Sequence, residues 1–382
     1  MSAILTLNAG SSSIKFSLYA SAEDPVPLID GQVENLGDAA VMEIGDAELE
    51  IGAADHSVAV AAILRGISPF LEGREVEAVG HRIVHGGTTF GAPVRLHDEE
   101  LNQLEQLIPL APLHQPHNLS GVRAAQDAFP DAIQVACFDT AFHQGRPFVN
   151  DAFALPRKYF DEGIRRYGFH GLSYDYISSI LRKEYPDLFK GRVVVAHLGN
   201  GASMCAMEGG KSVGSSMGFS ALDGLPMGTR CGQLDPGVML HLMSQGMGVE
   251  EMTRLLYNES GLKGLSGLTH DMRTLLASDD AHAREALDYY VFRVRRELGA
   301  MAAVLGGLDA VVFTGGVGEH AAEIRARIIQ GTEFLGLSVA AEANEVNARE
   351  IHDGEVPVLV IPTNEELVIA RAANSWLRRH RM

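Results

Sequence analysis

The sequence has 382 residues, a length at which two or three domains with their own cores are expected. Apolar residues make up 46% and charged residues 21% of the chain, as in ordinary soluble proteins, which excludes long disordered or collagen-like stretches. The formal net charge of −18 makes the surface repel nucleic-acid backbones and acidic membranes, so we expect neither as a partner.

The cysteines and the apolar runs indicate the compartment. Cys137, Cys205 and Cys231 show neither a paired framework nor a C-x-x-C spacing, which is typical of a reducing environment. No run approaches the roughly 18 apolar residues of a membrane helix, and the first residues lack the pattern of a secretion signal. We therefore expect a cytoplasmic enzyme.

Residues 3 to 20 predict a β-hairpin, with an apolar strand, a Gly-Ser turn and a second strand of alternating apolar positions. Residues 193 to 207 repeat this layout around a glycine-rich turn that ends at Ser203. Two hairpins of one design, half a chain apart, indicate two related domains. An accidental likeness between two glycine-rich turns is the alternative.

Helix and strand signals alternate elsewhere, which predicts an α/β fold. One helix is expected from Asp98, a second is expected to open at Asn118, and residues 132 to 139 predict a buried strand. The longest helix is expected over residues 283 to 305.

The C-terminal helix is expected to start at Thr363. Glu366 stands three residues later, which makes an S/T-x-x-E capping box. In that arrangement the Glu366 side chain folds back onto the end of its own helix.

Three glycine turns, at residues 10 to 13, 199 to 203 and 315 to 318, can bring backbone N–H groups close to an anion. The Walker A pattern is excluded, because Cys205 stands where its first glycine is needed. The dinucleotide fingerprint fits poorly, since Ala321 replaces its third glycine. Glycine turns on two hairpins favour the actin-like and sugar-kinase-like ATPases.

Nine motifs resemble the acetate kinase family, and the match runs in order from residue 4 to residue 370 apart from a variable stretch near residues 20 to 75. In chain order they are LNAGSSSIKFSL, VGHRIVHGG, LAPLHQPHNL, FDTAFH, YGFHGLSY, VAHLGNGAS, MGFSALDGLPMGTRCGQLDP, FTGGVGEH and IPTNEEL. The resemblance implies an actin-like ATPase fold of two related domains with a cleft between them. We expect one domain at residues 1–139 with 363–382 and the other at 140–362.

The resemblance also implies the reaction, a reversible transfer of the γ-phosphoryl group from ATP to acetate that gives acetyl phosphate and ADP. It further implies Mg²⁺, with Mn²⁺ as an alternative ion, and a homodimer. A carboxylate is already ionised at pH 7, so this transfer needs no general base. The protein must instead align two anions and neutralise charge on the transferring group.

Arg82 and Arg230 are the candidate cations, because each lies inside a matched motif and a guanidinium can bind a carboxylate or phosphate with two donors. A surface salt bridge is the alternative for any arginine. His170 and His114 match active-site histidines of the family. The resemblance implies that His170 donates to the transferring phosphoryl oxygens.

Asp139 follows a buried strand, where open α/β sheets place ligands. The resemblance implies that it orders the metal and Arg82, while capping of the next turn is the alternative. Asn8 and one of two C-terminal carboxylates are expected to hold the metal. Because Glu366 is expected to fold back onto its helix, Glu365 is the predicted ligand.

Nucleotide-binding residues are implied on the hairpin turn, on the other glycine turns and at a helix start. They are Ser11, Ser13, Lys15, His197, Leu198, Gly199, Asn200, Gly201, Asp271, Met272, Arg273, Gly316, Val317, Gly318, Glu319 and His320. Met272 stands where the family often has an aromatic residue, and His320 where it often has asparagine.

The acyl pocket is implied to consist of Arg82 and four apolar walls, namely Val84, Leu113, Phe169 and Ala221. Ala221 replaces a frequent proline, which widens the pocket. Such a pocket discriminates one methylene by only about 1 to 3 kcal/mol, so propionate is an expected second substrate.

Two alternative functions stay open. A propionate or butyrate kinase would apply the same chemistry to a longer acid. An actin-like or chaperone-like ATPase switch would need the glycine turns but neither Arg82 nor Arg230 nor a small apolar pocket.

Overall fold

The computed structural model describes residues 2 to 380 and has the predicted α/β fold. The strands are β1 Ser2–Ala9, β2 Ile14–Ala20, β3 Val26–Glu34, β4 Gly37–Ile44, β5 Ala47–Ala54, β6 Glu75–Ile83, β7 Val94–Arg95, β8 Ile133–Phe138, β9 Arg192–Leu198, β10 Ala202–Glu208, β11 Lys211–Ser215, β12 Ala310–Thr314 and β13 Val358–Val360. The α-helices are α1 His56–Ile67, α2 Asp98–Glu105, α3 Gln115–Ala128, α4 Phe148–Asp151, α5 Arg157–Asp161, α6 Gly171–Glu184, α7 Pro186–Lys190, α8 Pro236–Ser244, α9 Val249–Asn258, α10 Gly261–Ser266, α11 Met272–Leu276, α12 Ala281–Leu305, α13 Gly315–His320, α14 Ala322–Ile329, α15 Ala341–Glu345 and α16 Glu365–His380. Single 3₁₀ turns lie at Ser68–Phe70, Ile108–Leu110, Ala141–His143 and Glu333–Leu335.

The chain forms two compact units. The first contains the residues up to Phe142 and those from Asn364 onward, and the second runs from His143 to Thr363. The sheet of the first unit has the order β5-β4-β3-β2-β1-β6-β8-β7, and that of the second has the order β11-β10-β9-β12-β13.

One strand arrangement occurs in both sheets. Strands β3-β2-β1 and β11-β10-β9 are antiparallel runs, and each continues into two parallel strands, β6-β8 and β12-β13. Both predicted hairpins, β1–β2 and β9–β10, are confirmed. The central parallel strands β8 and β12 are buried along their whole length, which their continuous apolar runs explain.

Helix α16 packs across β1, β6 and β8 of the first sheet. Its buried face contains Ala370, Ala373 and Leu377, which join the apolar cluster of those strands. The helix approaches β6 so closely that a Cβ on Gly80 would lie 2.5 Å from Cγ2 of Ile369. Glycine at this position therefore sets the spacing between helix and sheet.

Helix α12 confirms the long helix expected from the sequence and begins two residues earlier than predicted. The Asp280 carboxylate accepts the His282 N–H at 2.7 Å, which caps its start, and Gly306 with φ of +67° ends it. None of the helices described between residues 2 and 380 is long and apolar enough to cross a membrane. Cys137 and Cys205 are buried and Cys231 is half-buried, and none of these three cysteines forms a disulfide.

The predicted helix start at Asn118 is wrong. Helix α3 begins at Gln115, because Pro116 supplies a favourable first turn. Asn118 instead lies inside the helix and is buried.

The predicted capping box at Thr363 and Glu366 is also wrong. Helix α16 begins at Glu365, and Asn364 caps it by accepting the Leu367 N–H at 2.9 Å. The Thr363 N–H donates to a carboxylate oxygen of Glu319 at 3.1 Å, so this residue is held outside the helix. A longer-range hydrogen bond thus overrides the local capping signal.

Replacing the observed cap should destabilise the protein. Asn364→Ala removes the acceptor for the Leu367 N–H, and we expect the free energy of unfolding to fall by about 0.5 to 2 kcal/mol. Glu366→Ala should stay within about 0.5 kcal/mol of the parent chain. Urea denaturation followed by circular dichroism measures the free energy of unfolding of both variants. A larger loss with Glu366→Ala than with Asn364→Ala would support the capping box instead.

Candidate active site

An arginine–carboxylate pair, in which Asp139 is buried and Arg82 half-buried, lies at the carboxyl ends of two parallel strands in the first unit. Arg82 is on β6, and Asp139 follows β8 directly. The guanidinium of Arg82 donates from Nε to Asp139 Oδ1 at 3.0 Å and from Nη2 to Asp139 Oδ2 at 2.7 Å. These two parallel hydrogen bonds fix the plane of the guanidinium.

Two further predicted residues contact Arg82. Its Nη1 donates to Asn8 Oδ1 at 3.3 Å, and its Nε lies 3.8 Å from Glu365 Oε2. Burial opposes the charge of Arg82, but Asp139, Glu365 and Glu366 together raise its pKa. Burial also raises the pKa of Glu365 to about 7, against the opposing effect of Arg82. Arg82 therefore stays cationic inside an acidic cluster.

The glycine turn of the first hairpin lies near this cluster. Lys15 stands opposite Asn8 across β1 and β2, and its charge acts on Glu365. The Gly10 N–H donates to the Ser13 carbonyl at 2.8 Å, which closes the turn. Ser11 at the turn tip is exposed.

Asn118 is a positioning residue that the sequence analysis missed. Its Oδ1 accepts the Val84 N–H at 2.9 Å, and its Nδ2 donates to the Ala9 carbonyl at 2.6 Å. Helix α3, which begins directly after His114, is thereby tied to the ends of β1 and β6. Asn118 belongs to the LAPLHQPHNL motif, but nothing in the sequence indicates that a helix-interior asparagine holds two strand ends.

The four predicted acyl-pocket walls divide between the units. Val84 directly follows β6 and is buried, whereas Leu113 is 40% exposed. Phe169 and Ala221 belong to the second unit, where Phe169 is buried and Ala221 is half-buried.

His170 directly precedes α6 with a φ of +58°, a left-handed conformation that is uncommon outside glycine and concentrates at functional sites. Its Nδ1 lies 2.9 Å from Ser203 Oγ, which also bonds to the Tyr174 hydroxyl. The His170 ring stacks on His197 with 4.2 Å between centroids, and His197 Nδ1 lies 2.8 Å from Ser173 Oγ. The two imidazoles are therefore held in fixed planes.

The β9–β10 turn packs against His170 and against the start of α13. A Cβ on Gly201 would lie 3.2 Å from His170 Nε2. A Cβ on Gly315, which has a φ of +77°, would lie 2.8 Å from the Leu198 carbonyl oxygen, while Gly316 has open space around it. Glycine is thus required for the close approach of these two segments.

The loop that carries Arg230 is tied to the same turn. The Gly228 N–H donates to the Asn200 carbonyl at 3.1 Å. Arg230 Nη1 donates to the Ala221 carbonyl at 3.4 Å, and its guanidinium lies over the Tyr257 ring. The second predicted cation therefore stands beside a predicted pocket wall.

Asp271 and Arg273 bind each other at the start of α11. The Asp271 carboxylate accepts the Arg273 N–H at 2.8 Å and pairs with its guanidinium at 2.6 Å. These hydrogen bonds lower the pKa of Asp271. Met272 between them is buried in the core of the unit.

The third glycine segment forms the short helix α13 rather than the predicted turn. Glu319, predicted to bind nucleotide, accepts the N–H groups of Gly315 at 2.9 Å and Thr363 at 3.1 Å. Its carboxylate therefore fixes the backbone of this segment, while His320 is exposed.

Arg325 on α14 is fully buried and was missed by the sequence analysis. Its Nη1 donates to the carbonyls of Gly318 and Glu319 at 2.9 Å, and its Nε and Nη2 donate to Asn344 and Asn347. Burial lowers its pKa to about 10, so it stays charged at neutral pH. Asn344 and Asn347 lie about 20 residues away in sequence, and the local pattern gives no sign of them.

The predicted site residues thus form one cluster in each unit. The cluster in the first unit contains Asn8, Lys15, Arg82, Asp139 and Glu365. The cluster in the second unit contains His170, His197, Gly199, Asn200, Gly201, Arg230 and Gly316.

Comparison with known proteins gives consistent matches over nearly the whole chain. A family model described as the acetokinase family matches residues 3–371. The acetate kinase of Methylocella silvestris is 53% identical with 96% of each chain covered, and that of Rhizobium meliloti is 47% identical with 97% of each covered.

Two solved structures have the same fold. A Porphyromonas gingivalis acetate kinase is 37% identical with a TM-score of 0.90, covering 99% of this chain and 100% of that one. A Francisella tularensis propionate kinase is 36% identical with a TM-score of 0.92, covering 98% of this chain and 100% of that one. The predicted fold class is confirmed.

Proposed function

Because the chain belongs to the acetokinase family, we propose that it is an enzyme that transfers the γ-phosphoryl group of ATP to acetate, reversibly, giving acetyl phosphate and ADP. The observation that carries the proposal is the half-buried Arg82, held by Asp139 among acceptor oxygens at the strand ends. Such a fixed guanidinium is suited to an anionic substrate, on a chain whose overall charge is −18.

Direct transfer to a carboxylate requires positioning and charge neutralisation rather than proton abstraction. Asp139 occupies Nε and Nη2 of Arg82, which leaves the Nη1 edge, next to Asn8, to orient the acetate carboxylate. We propose that Arg230 neutralises charge that develops on the transferring phosphoryl group.

His170 is suited to donate a hydrogen bond to the phosphoryl oxygens. Its Nδ1 side is held by Ser203, while its Nε2 faces the β9–β10 turn beside Gly201. The fixed ring reduces the reorganisation that is needed as charge develops in the transition state. His114, at the start of α3, is proposed to assist at the same group.

The glycine segments are suited to the phosphates of ATP. Backbone N–H groups of the β9–β10 turn and of Gly316 form an anion-binding surface without side-chain interference. Lys15, with the hairpin hydroxyls of Ser11 and Ser13, is proposed to contact the phosphates from the first hairpin. Nucleotide contacts are likewise proposed for the remaining predicted residues, namely His197, Leu198, Asp271, Met272, Arg273, Val317, Gly318, Glu319 and His320.

The donor set of the first cluster fits Mg²⁺, or Mn²⁺ in its place. Asn8 and Glu365 offer hard oxygen ligands beside Asp139, the ligands that Mg²⁺ prefers. In the described part of the chain no three His, Cys, Asp or Glu side chains form a metal site, so substrate phosphates and water would complete the shell. When bound, the ion neutralises charge on the phosphate oxygens.

Propionate is the alternative acceptor, since a solved neighbour is a propionate kinase. Ala221, at a proposed pocket wall, leaves room for the additional methylene of propionate. Butyrate has a further methylene and would need a wider pocket. Family membership argues against the ATPase switch.

A hydroxylamine trapping assay tests the proposal. The protein is incubated with ATP, Mg²⁺ and acetate, propionate or butyrate, and an acyl phosphate is detected as its hydroxamate. Formation of hydroxamate with acetate is expected, with a smaller kcat/KM for butyrate. ATP hydrolysis without hydroxamate would contradict the proposal.

Loss of either proposed active-site arginine should lower turnover strongly. Arg82→Gln and Arg230→Gln each remove a charged donor, which typically costs about 10² to 10³ in kcat. Arg371→Gln is the matched control, because Arg371 binds Asp24 with the same two-pronged geometry at 2.7 and 2.8 Å on the surface. Equal activity of the three variants would contradict the assignment.

Variants of Glu365 and Glu366 distinguish the proposed role of Glu365 in binding Mg²⁺ from the general effect of removing a negative charge. We expect Glu365→Gln to raise the Mg²⁺ concentration for half-maximal rate at least about tenfold, because a carboxylate ligand is lost. Glu366→Gln should leave it within about twofold. Magnesium titrations at saturating ATP measure both, and the reverse pattern would assign the metal to Glu366.

Two copies of the chain are proposed to associate through α8. No residue of this helix is buried, although Val238, Leu240 and Met243 are large and apolar. Leu240→Glu should convert a dimer into a monomer in analytical ultracentrifugation, whereas Val149→Glu, at another exposed apolar residue, should not. A parent chain that sediments as a monomer would contradict the proposal.

A further inference from the structure

Two segments of the second unit carry proposed acyl-pocket walls and are bonded to each other. One runs from Arg166 to His170 and contains Phe169, and the other is the loop from Gly218 to Asp223. The Gly218 carbonyl accepts the N–H groups of Tyr167 at 2.9 Å and of Gly168 at 3.3 Å. The first end of the loop is therefore attached to the Phe169 segment.

An ion pair attaches the other end of the loop. Arg166 Nη1 lies 2.8 Å from Asp223 Oδ2, and the two side chains are 34% and 30% exposed. The pair also packs on Gly218, where a Cβ would lie 2.6 Å from Asp223 Oδ2 and 3.2 Å from Arg166 Nη1. A side chain at that position would push the pair apart.

Ala221 lies in the middle of this loop. Because both ends of the loop are bonded to the Phe169 segment, these attachments restrict how far Ala221 can move away from it. The Ala221 carbonyl also accepts a hydrogen bond from Arg230, so the same loop lies beside the proposed phosphoryl-binding cation.

We propose that the Arg166–Asp223 ion pair determines acyl-chain selectivity, by holding the Ala221 loop against the Phe169 segment and so limiting the width of the acyl pocket. Both are positioning residues. The inference rests on the proposed function, since it concerns the choice between acetate and longer acids.

Asp223→Asn tests this inference. The substitution keeps the shape of the side chain and removes its charge, so the attachment to Arg166 weakens. The propionate-to-acetate ratio of kcat/KM should rise at least about threefold, part of the discrimination that one methylene provides. The KM for ATP should stay within about twofold, and Asp223→Glu should restore the ratio of the parent chain.

A matched control is available in the same unit. Arg192 and Asp309 form an ion pair of 2.7 Å with similar exposure, 36% and 37%, away from the proposed walls. Asp309→Asn should leave the propionate-to-acetate ratio unchanged. If Asp309→Asn raised this ratio as much as Asp223→Asn, the effect would come from a general loosening of the second unit, and the inference would be wrong.

The inference fails if Asp223→Asn leaves the ratio unchanged or lowers the rates with both acids in parallel. If thermal melting shows that this variant is unfolded, Arg166→Gln carries the same test, because it removes the charge from the other side of the single Nη1–Oδ2 contact. Failure of the proposed function itself is distinct, since the parent chain would then form no hydroxamate with any acid.

Discussion

The partial burial of the Arg82 guanidinium, whose side chain is 22% exposed, is the constraint on which the first cluster depends. Partly removing such a charge from water is unfavourable unless its hydrogen bonds and charge are compensated. Asp139 provides two hydrogen bonds, Asn8 provides a third and Glu365 adds a second negative charge. These partners meet because β1, β6 and β8 are parallel and end at one edge of the sheet, and because α16 packs across the same strands.

The second unit has the same strand arrangement, but different chemical groups lie at the ends of its strands. Its hairpin and its parallel strand β12 end in glycine segments that offer backbone N–H groups, and the nearby side chains are mainly imidazoles and hydroxyls. In the first unit the corresponding strand ends carry side-chain charges. The proposed reaction needs both kinds of group, since cations orient an acid and backbone donors bind phosphates without adding bulk.

Apolar strands on either side of a glycine-rich turn predicted both hairpins, because strand pairing around a tight turn depends on residues that are close in sequence. Motif positions predicted Arg82 and Asp139, and the structure places them in contact. Local signals were wrong where a distant group intervened. Thr363 begins no helix, because Glu319 holds its N–H, and Arg325 was missed, because its acceptors become neighbours only after folding.

Helix α13 shows why those two residues matter for the proposed binding of phosphate. A six-residue helix is not stable by itself, since nucleation is unfavourable. Glu319 accepts one N–H at its start, and Arg325 donates to two carbonyls near its end, so unpaired groups at both ends gain partners whose charges suit the helix dipole. The backbone around Gly316 is therefore ordered during folding. A phosphate that binds there need not order it again, and less of the binding free energy is lost to conformational entropy.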